Sequence, residues 1–247
     1  MALLWLAVTL ALLVLMDRWI HRHLQGIMFL LTGDADLATV LYALPLFPGI
    51  LLHELSHALS ATLLGVKVGR LSIRPRRSGQ RIQLGFVPVE KTDVVRASLI
   101  GLAPLLTGCG VILLIGYQVF DIGSLSPALT DGDVRAIMAA LSSILRSRDA
   151  WLWAYIVFAI GNTMLPSRSD RQAWTPVMLF ITLTGVVVWL SGSGAAVAGE
   201  IARLIGRALR WLALACTLTV AADVPFALLM LLTEKLLEAM RGVRVQY

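Results

Sequence analysis

The stretch GILLHELSHALSATLLGVKV, residues 49–68, sets His53, Glu54 and His57 inside an otherwise apolar run. Ionisable side chains are costly in a membrane helix unless they are paired or bound, so this cluster marks a place where chemistry is done. Positions four apart stack on one face of a helix, which aims both imidazoles at a common point, while Glu54 lies about 100° around from His53. This is the HExxH spacing. Two neutral ring nitrogens hold zinc without quenching its Lewis acidity, and the adjacent carboxylate can take a proton from the attacking water. In a soluble helix the same pattern is often only a solvated face, but in an apolar helix the unliganded groups would cost several kcal/mol.

The rest of the chain supports a membrane setting. Of its 247 residues, 58% are hydrophobic and only 15% charged, with a mean hydropathy of +0.82, well beyond what a water-soluble core requires. Apolar stretches at 1–16, 37–66, 95–119, 150–165, 174–191 and 209–232 approach or exceed the roughly 18–20 residues of a membrane helix, and none alternates like a barrel strand. The expected fold class is therefore an all-α polytopic membrane protein with about six transmembrane helices, built as a single membrane domain over 1–247. The first span is read as a retained helix, since no basic residue precedes it and no small-residue cleavage site stands before Asp17.

Pro45 and Pro48 interrupt the second span, and Pro48 suits the first turn of a helix running through the HELSH stretch to Gly65. Over 67–91, Val68, Leu71 and Ile73 precede a turn at Arg76, Arg77, Ser78 and Gly79, and Ile82, Leu84 and Phe86 follow it in alternation. That pattern predicts a small β-hairpin between helices 2 and 3. Residues 120–149 read as an interfacial loop and helix, 191–199 as a small-residue loop, and 192–247 as C-terminal helices. Cys109 and Cys216 lie in apolar segments and read as small buried hydrophobes.

The net charge of +6 comes from basic residues flanking apolar stretches, and no nucleic-acid module is recognisable, so the basic partner is the lipid bilayer and not a nucleic acid. With six spans both termini share a side, and the charge bias places them in the cytoplasm of a bacterial-type inner membrane.

A zinc site needs a third ligand. His21 and His23, beside Asp17, Arg18 and Arg22, read as an interfacial basic segment on the far side of the membrane. Asp170, in GNTMLPSRSDRQAW, sits at the end of the fourth span, on the same face as the end of the second, and would complete a two-His, one-carboxylate set. Its competing role is a helix-end aspartate paired with Arg168 or Arg171.

The HELSHALSATLLGVKV stretch, followed by an Arg-bearing hairpin, resembles the intramembrane site-2 protease family of zinc metalloproteases. That family also carries an N-x-x-P-x-x-x-x-D-G pattern. Here Asn162 and Asp170 keep the spacing, Pro166 stands one place late, and Arg171 replaces the glycine. The resemblance covers roughly residues 45–180, the protease-like core. It implies His53, His57 and Asp170 as ligands of one Zn2+ per chain, Glu54 as general base, and Asn162 as a helper at the substrate backbone or oxyanion. From the segment GLAPLLTG at 101–108 it takes only close packing.

The function so implied is an intramembrane zinc endopeptidase that cuts in or near a transmembrane helix of a membrane-protein substrate, in regulated proteolysis, with the hairpin pairing to the unwound substrate. The alternative is a non-catalytic protease-like subunit or assembly factor working with a complex-forming membrane partner. A transporter using Asp223 and Asn162 would leave the HELSH cluster unexplained. Asp223 itself, ahead of Pro225, either shapes a water route or caps a broken helix.

Overall fold

The computed structural model describes residues 2–69, 76–78, 81–83, 87–123, 142, 148–167, 169–172, 174–190, 194–243 and 245. In chain order the elements are α1 (Ala2–Thr32), α2 (Ala35–Tyr42), α3 (Phe47–Leu63), β1 (Arg76–Ser78), β2 (Arg81–Gln83), α4 (Val94–Gln118), α5 (Ala150–Gly161), α6 (Trp174–Leu190) and α7 (Gly194–Arg241).

Local chemistry sets several of these boundaries. The Asp34 carboxylate accepts from the backbone N–H groups of Asp36 and Leu37 to start α2, and Asp93 does the same for α4 through Val95 and Arg96. Pro48 lies in the first turn of α3, where its missing N–H has no helical partner to lose. The same helix stops at Gly65, whose φ of 70° suits a residue without a Cβ, and the Val66 N–H closes the turn on the Ala61 carbonyl at 2.8 Å.

The expected count of about six transmembrane helices is overturned. Among the described residues, three helices are long and apolar enough to cross a membrane, at Leu3–Thr32, Val94–Gln118 and Gly199–Arg241, or four if α2 and α3, bent by 71°, form one broken span. The apolar stretches at 150–165 and 174–191 yield helices of 12 and 17 residues, only about 18 and 26 Å long at 1.5 Å per residue, short of a roughly 30 Å hydrocarbon core. The argument that put both termini in the cytoplasm rested on six spans and falls with that count. These long apolar helices support an integral membrane protein.

The β-hairpin expected over 67–91 is corrected as well. Paired strand covers three residues on each side, Arg76 opposite Gln83 and Ser78 opposite Arg81, with one separate bridge between Val68 and Val89. Arg76–Ser78, assigned from sequence to the turn, are themselves strand residues, and the rest of the anticipated strands lies outside the described residues. The interfacial segment expected over 120–149 also lies largely outside them. Two helices are longer than expected. α1 continues through Asp17–His23 to Thr32, and α7 begins within the anticipated loop, at Gly194, and runs unbroken past Pro225.

α1 lies along α7, and α3 packs against α4 and α5. Where α1, α4, α5 and α7 meet, Leu13, Ile112, Val157, Ala213 and Cys216 form one buried cluster, and Ile20, Tyr42, Leu46, Ile50 and Phe158 form a second beneath the start of α3. Between helices in lipid, packing contact replaces the hydrophobic effect as the cohesive term, so small residues at crossings matter. At Gly49 a Cβ would run into the Ala159 carbonyl oxygen and Thr163 Oγ1, so this glycine lets α3 lie directly on α5.

Candidate metal centre

α3 carries His53, Glu54 and His57 within about one turn, with Glu54 and His57 only 7% and 9% exposed. Asp170 comes from the connection between α5 and α6. Among the described residues, His53, His57 and Asp170 form a group able to hold a metal ion, with one ligand atom from each lying within 4.8 Å of the others. His53 Nε2 and His57 Nε2 are 3.2 Å apart, His57 Nε2 is 3.3 Å from Asp170 Oδ1, and His53 Nε2 is 3.9 Å from Asp170 Oδ2. A tetrahedral site with metal–ligand distances of about 2.0–2.1 Å has edges of about 3.3–3.4 Å, so two of the three separations are those of a zinc site and the third is somewhat open.

Hydrogen bonding on the far side of each ring decides what the cluster needs. His53 Nδ1 donates to the Thr163 carbonyl at 2.7 Å, and His57 Nδ1 donates to the Ile100 carbonyl at 2.9 Å. A carbonyl can only accept, so each Nδ1 carries the proton and each neutral ring turns a bare Nε2 toward the other. Two lone pairs and a carboxylate then converge with no proton among them. That arrangement requires positive charge. One proton could bridge a single contact, His57 to Asp170 for instance, whereas one metal ion satisfies all three ligands at once.

The carboxylate is anchored too. The Ser167 backbone N–H donates to Asp170 Oδ2 at 2.7 Å, and the Asp170 N–H returns a bond of 3.3 Å to Ser167 Oγ. In the metal-free protein burial pushes the Asp170 carboxyl up, but a proton bridging His57 Nε2 to it, together with the Ser167 bonds, outweighs burial and holds it at about 2. Arg171 does not pair with it; its Nε donates to the Ser167 carbonyl at 3.3 Å. Arg168 lies outside the described residues.

α4 contributes backbone alone. The Ile100 carbonyl orients His57, and beside it Gly101 faces the Asp170 main chain, where a Cβ would run into the Asp170 carbonyl oxygen. Close packing was the one thing the 101–108 segment suggested, and it serves the site. The Thr163 and Ile100 carbonyls and the Ser167 N–H were not foreseeable, because a backbone group leaves no mark in residue identity.

Glu54 is placed one position after His53, and its carboxylate takes no hydrogen bond from any described residue. Asn162 is different. It caps the end of α5, and its Nδ2 donates to the Phe158 carbonyl at 2.9 Å and to Asp223 Oδ1 at 2.7 Å, so its hydrogen bonds run to α7. His21 is not an interfacial residue on the far side: it lies within α1, with Nε2 3.1 Å from the Asn162 carbonyl oxygen. His23 meets Glu234 of α7.

The convergence of His53, His57 and Asp170, with Glu54 beside them, now identifies the chemistry. It matches the active-site geometry of a zinc metalloprotease. No protein-family model matches the chain, and no curated protein and no solved structure matches it either. The donor set of two imidazoles and one carboxylate can coordinate one zinc ion per chain and is consistent with a zinc metalloendopeptidase site in a helical, apolar protein.

Proposed function

We propose that this protein is an intramembrane zinc endopeptidase of the site-2 type, which hydrolyses a peptide bond in or near a transmembrane segment of a membrane-protein substrate and releases a fragment. The observation that carries the reading is the set of three converging ligand atoms on and beside an apolar helix, with both histidine tautomers fixed by backbone carbonyls. A hydrolytic zinc site has no other common reason to lie among helices of this apolarity, since each charged group there is expensive.

Zinc, when bound, supplies Lewis acidity that polarises the scissile carbonyl and lowers the pKa of a water toward about 7. His53 and His57 would hold the ion through Nε2, and Asp170 through its carboxylate. Glu54 accepts the proton of the attacking water on a carboxylate oxygen and delivers it to the amine nitrogen as the C–N bond breaks, so water is consumed and a carboxylic acid and an amine are released. Ser167 keeps the Asp170 carboxylate turned to the histidines. Because a helical substrate hides its peptide bonds in its own hydrogen-bond ladder, cleavage begins with local unwinding of that substrate.

The test uses purified full-length protein and a single-span substrate. Wild type should cleave, Glu54→Gln should retain zinc and lose turnover by at least about 100-fold, in line with a removed general base, and Asp170→Ala should lose zinc. Turnover that survives Glu54→Gln contradicts the assignment of the base, and a chain that binds zinc yet never cuts any membrane substrate contradicts the enzyme.

A further inference from the structure

Asn162 and Asp223 form a polar pair inside the helical bundle that the chemistry above does not use. Asp223 is fully buried on α7 and Asn162 is 3% exposed at the end of α5. One bond joins them, Asn162 Nδ2 to Asp223 Oδ1 at 2.7 Å, while Asn162 Oδ1 and Asp223 Oδ2 have no hydrogen-bond partner among the described residues. An aspartate in so apolar a helix is expensive, and a simple clamp between α5 and α7 could be made from apolar or small side chains.

What the pair holds is the chain segment on which the metal ligand hangs. Just past the end of α5, two consecutive carbonyls with no helical partner are taken by histidine N–H groups from outside. His21 of α1 lies 3.1 Å from the Asn162 carbonyl oxygen, and His53 of α3 donates to the Thr163 carbonyl at 2.7 Å. His21 is itself fixed, with Nε2 3.1 Å from Asp17 Oδ1 one turn earlier and Nδ1 against the Tyr42 hydroxyl. Rotation about the Asn162 backbone bonds would carry the following residue with it and swing the Thr163 carbonyl away from His53. The Asn162 side chain, held by Asp223, resists that rotation, since its own helix supplies only one further partner, the Phe158 carbonyl.

We propose that Asp223 is a positioning residue for the metal centre, acting through Asn162 on the Thr163 carbonyl that sets the ring of His53. This inference rests on the metal reading above. Groups that orient a metal-binding histidine from behind typically change metal affinity by about 10–100-fold when removed, which sets the expected size of the effect.

The experiment measures zinc affinity of the full-length chain in detergent by chelator competition, the thermal midpoint of the zinc-free protein, and the visible spectrum of the cobalt-substituted protein. Asp223→Leu should weaken zinc binding by about 10–100-fold and alter the cobalt spectrum. Asp223→Asn, which keeps an oxygen for Asn162 Nδ2, should restore both to within about threefold of wild type, well short of that loss. If Asp223→Leu does not fold, Asp223→Ser carries the same expectation, because its side chain is too short to reach Asn162. A variant that lowers the thermal midpoint but leaves zinc affinity and the cobalt spectrum as in wild type makes Asp223 a helix clamp only and overturns the proposal. A well-folded wild-type chain that binds no zinc overturns the metal reading, and this inference with it.

Discussion

Replacing Gly101 by alanine adds one methyl group at the point where α4 passes the Asp170 loop. That methyl would meet the Asp170 carbonyl oxygen and stand 3.0 Å from its carbonyl carbon and 3.2 Å from its Cα. All three are backbone atoms that no rotamer change can remove. Carbon atoms pack best at about 3.5–4.0 Å, so the loop has to withdraw by roughly 0.5 Å or more. Asp170 Oδ1 now stands 3.3 Å from His57 Nε2, and ligand distances in a working metal site tolerate only about ±0.2 Å. The neighbouring Ile100 carbonyl fixes His57, so α4 cannot yield without disturbing a second ligand. Gly101→Ala should therefore lower zinc affinity by at least about 10-fold, the scale of a lost supporting contact, with an overpacking cost of about 1–3 kcal/mol in stability. Gly110→Ala is the control: it lies on the same helix with nothing within 4 Å of the added Cβ, and should leave zinc affinity unchanged. Chelator competition and thermal melting of both variants make the comparison. Gly101→Ala protein that folds and binds zinc as tightly as wild type would refute the claim that α4 supports the site by close approach.

Three further outcomes are expected. Stripping zinc with a chelator should lower the thermal midpoint, since free zinc at about 100 times its dissociation constant contributes about 2.7 kcal/mol to the folded state; a midpoint indifferent to zinc would contradict a site assembled only on folding. In the metal-free protein the Asp170 carboxyl sits at about 2 instead of 3.8, so its hydrogen bonds contribute stability that is complete above about pH 4 and is lost as pH falls toward 2; Asp170→Asn should flatten that part of a stability-against-pH curve. Gly49→Val should destabilise the chain by about 1–3 kcal/mol by forcing α3 off α5, read as a lower melting midpoint, and zinc affinity should fall with it because His53 and the Thr163 carbonyl lie across that contact.

The metal-binding turn was legible because its information is local. Two histidines four positions apart share a helix face whatever the rest of the chain does, and Pro48 and Gly65 mark the ends of that helix in residue types suited to the job. Asp170 was legible as the carboxylate at the matching end of a later apolar stretch. The supports were not, because Thr163, Ile100 and Ser167 act through backbone atoms and any residue type could supply them. Span counting failed on α5 and α6, which are too short to cross, and span lengths were misjudged where charges are satisfied inside the bundle. Asp17 and His21 pair one turn apart and His23 meets Glu234, so α1 continues through a segment whose charges suggested an exit from the membrane. Asp223 and Pro225 suggested a break, yet α7 passes through both, and the partner that settles Asp223 is Asn162, 61 positions away in the chain.

The central claim is that His53, His57 and Asp170 bind one zinc ion. X-ray absorption at the zinc edge of the purified full-length protein tests it most directly. The account predicts about one zinc per chain in a nitrogen and oxygen shell at about 2.0–2.2 Å, with outer-shell scattering from two imidazoles. Sulfur at about 2.3 Å, which would point to Cys109 or Cys216, or a well-folded chain without zinc, would contradict it.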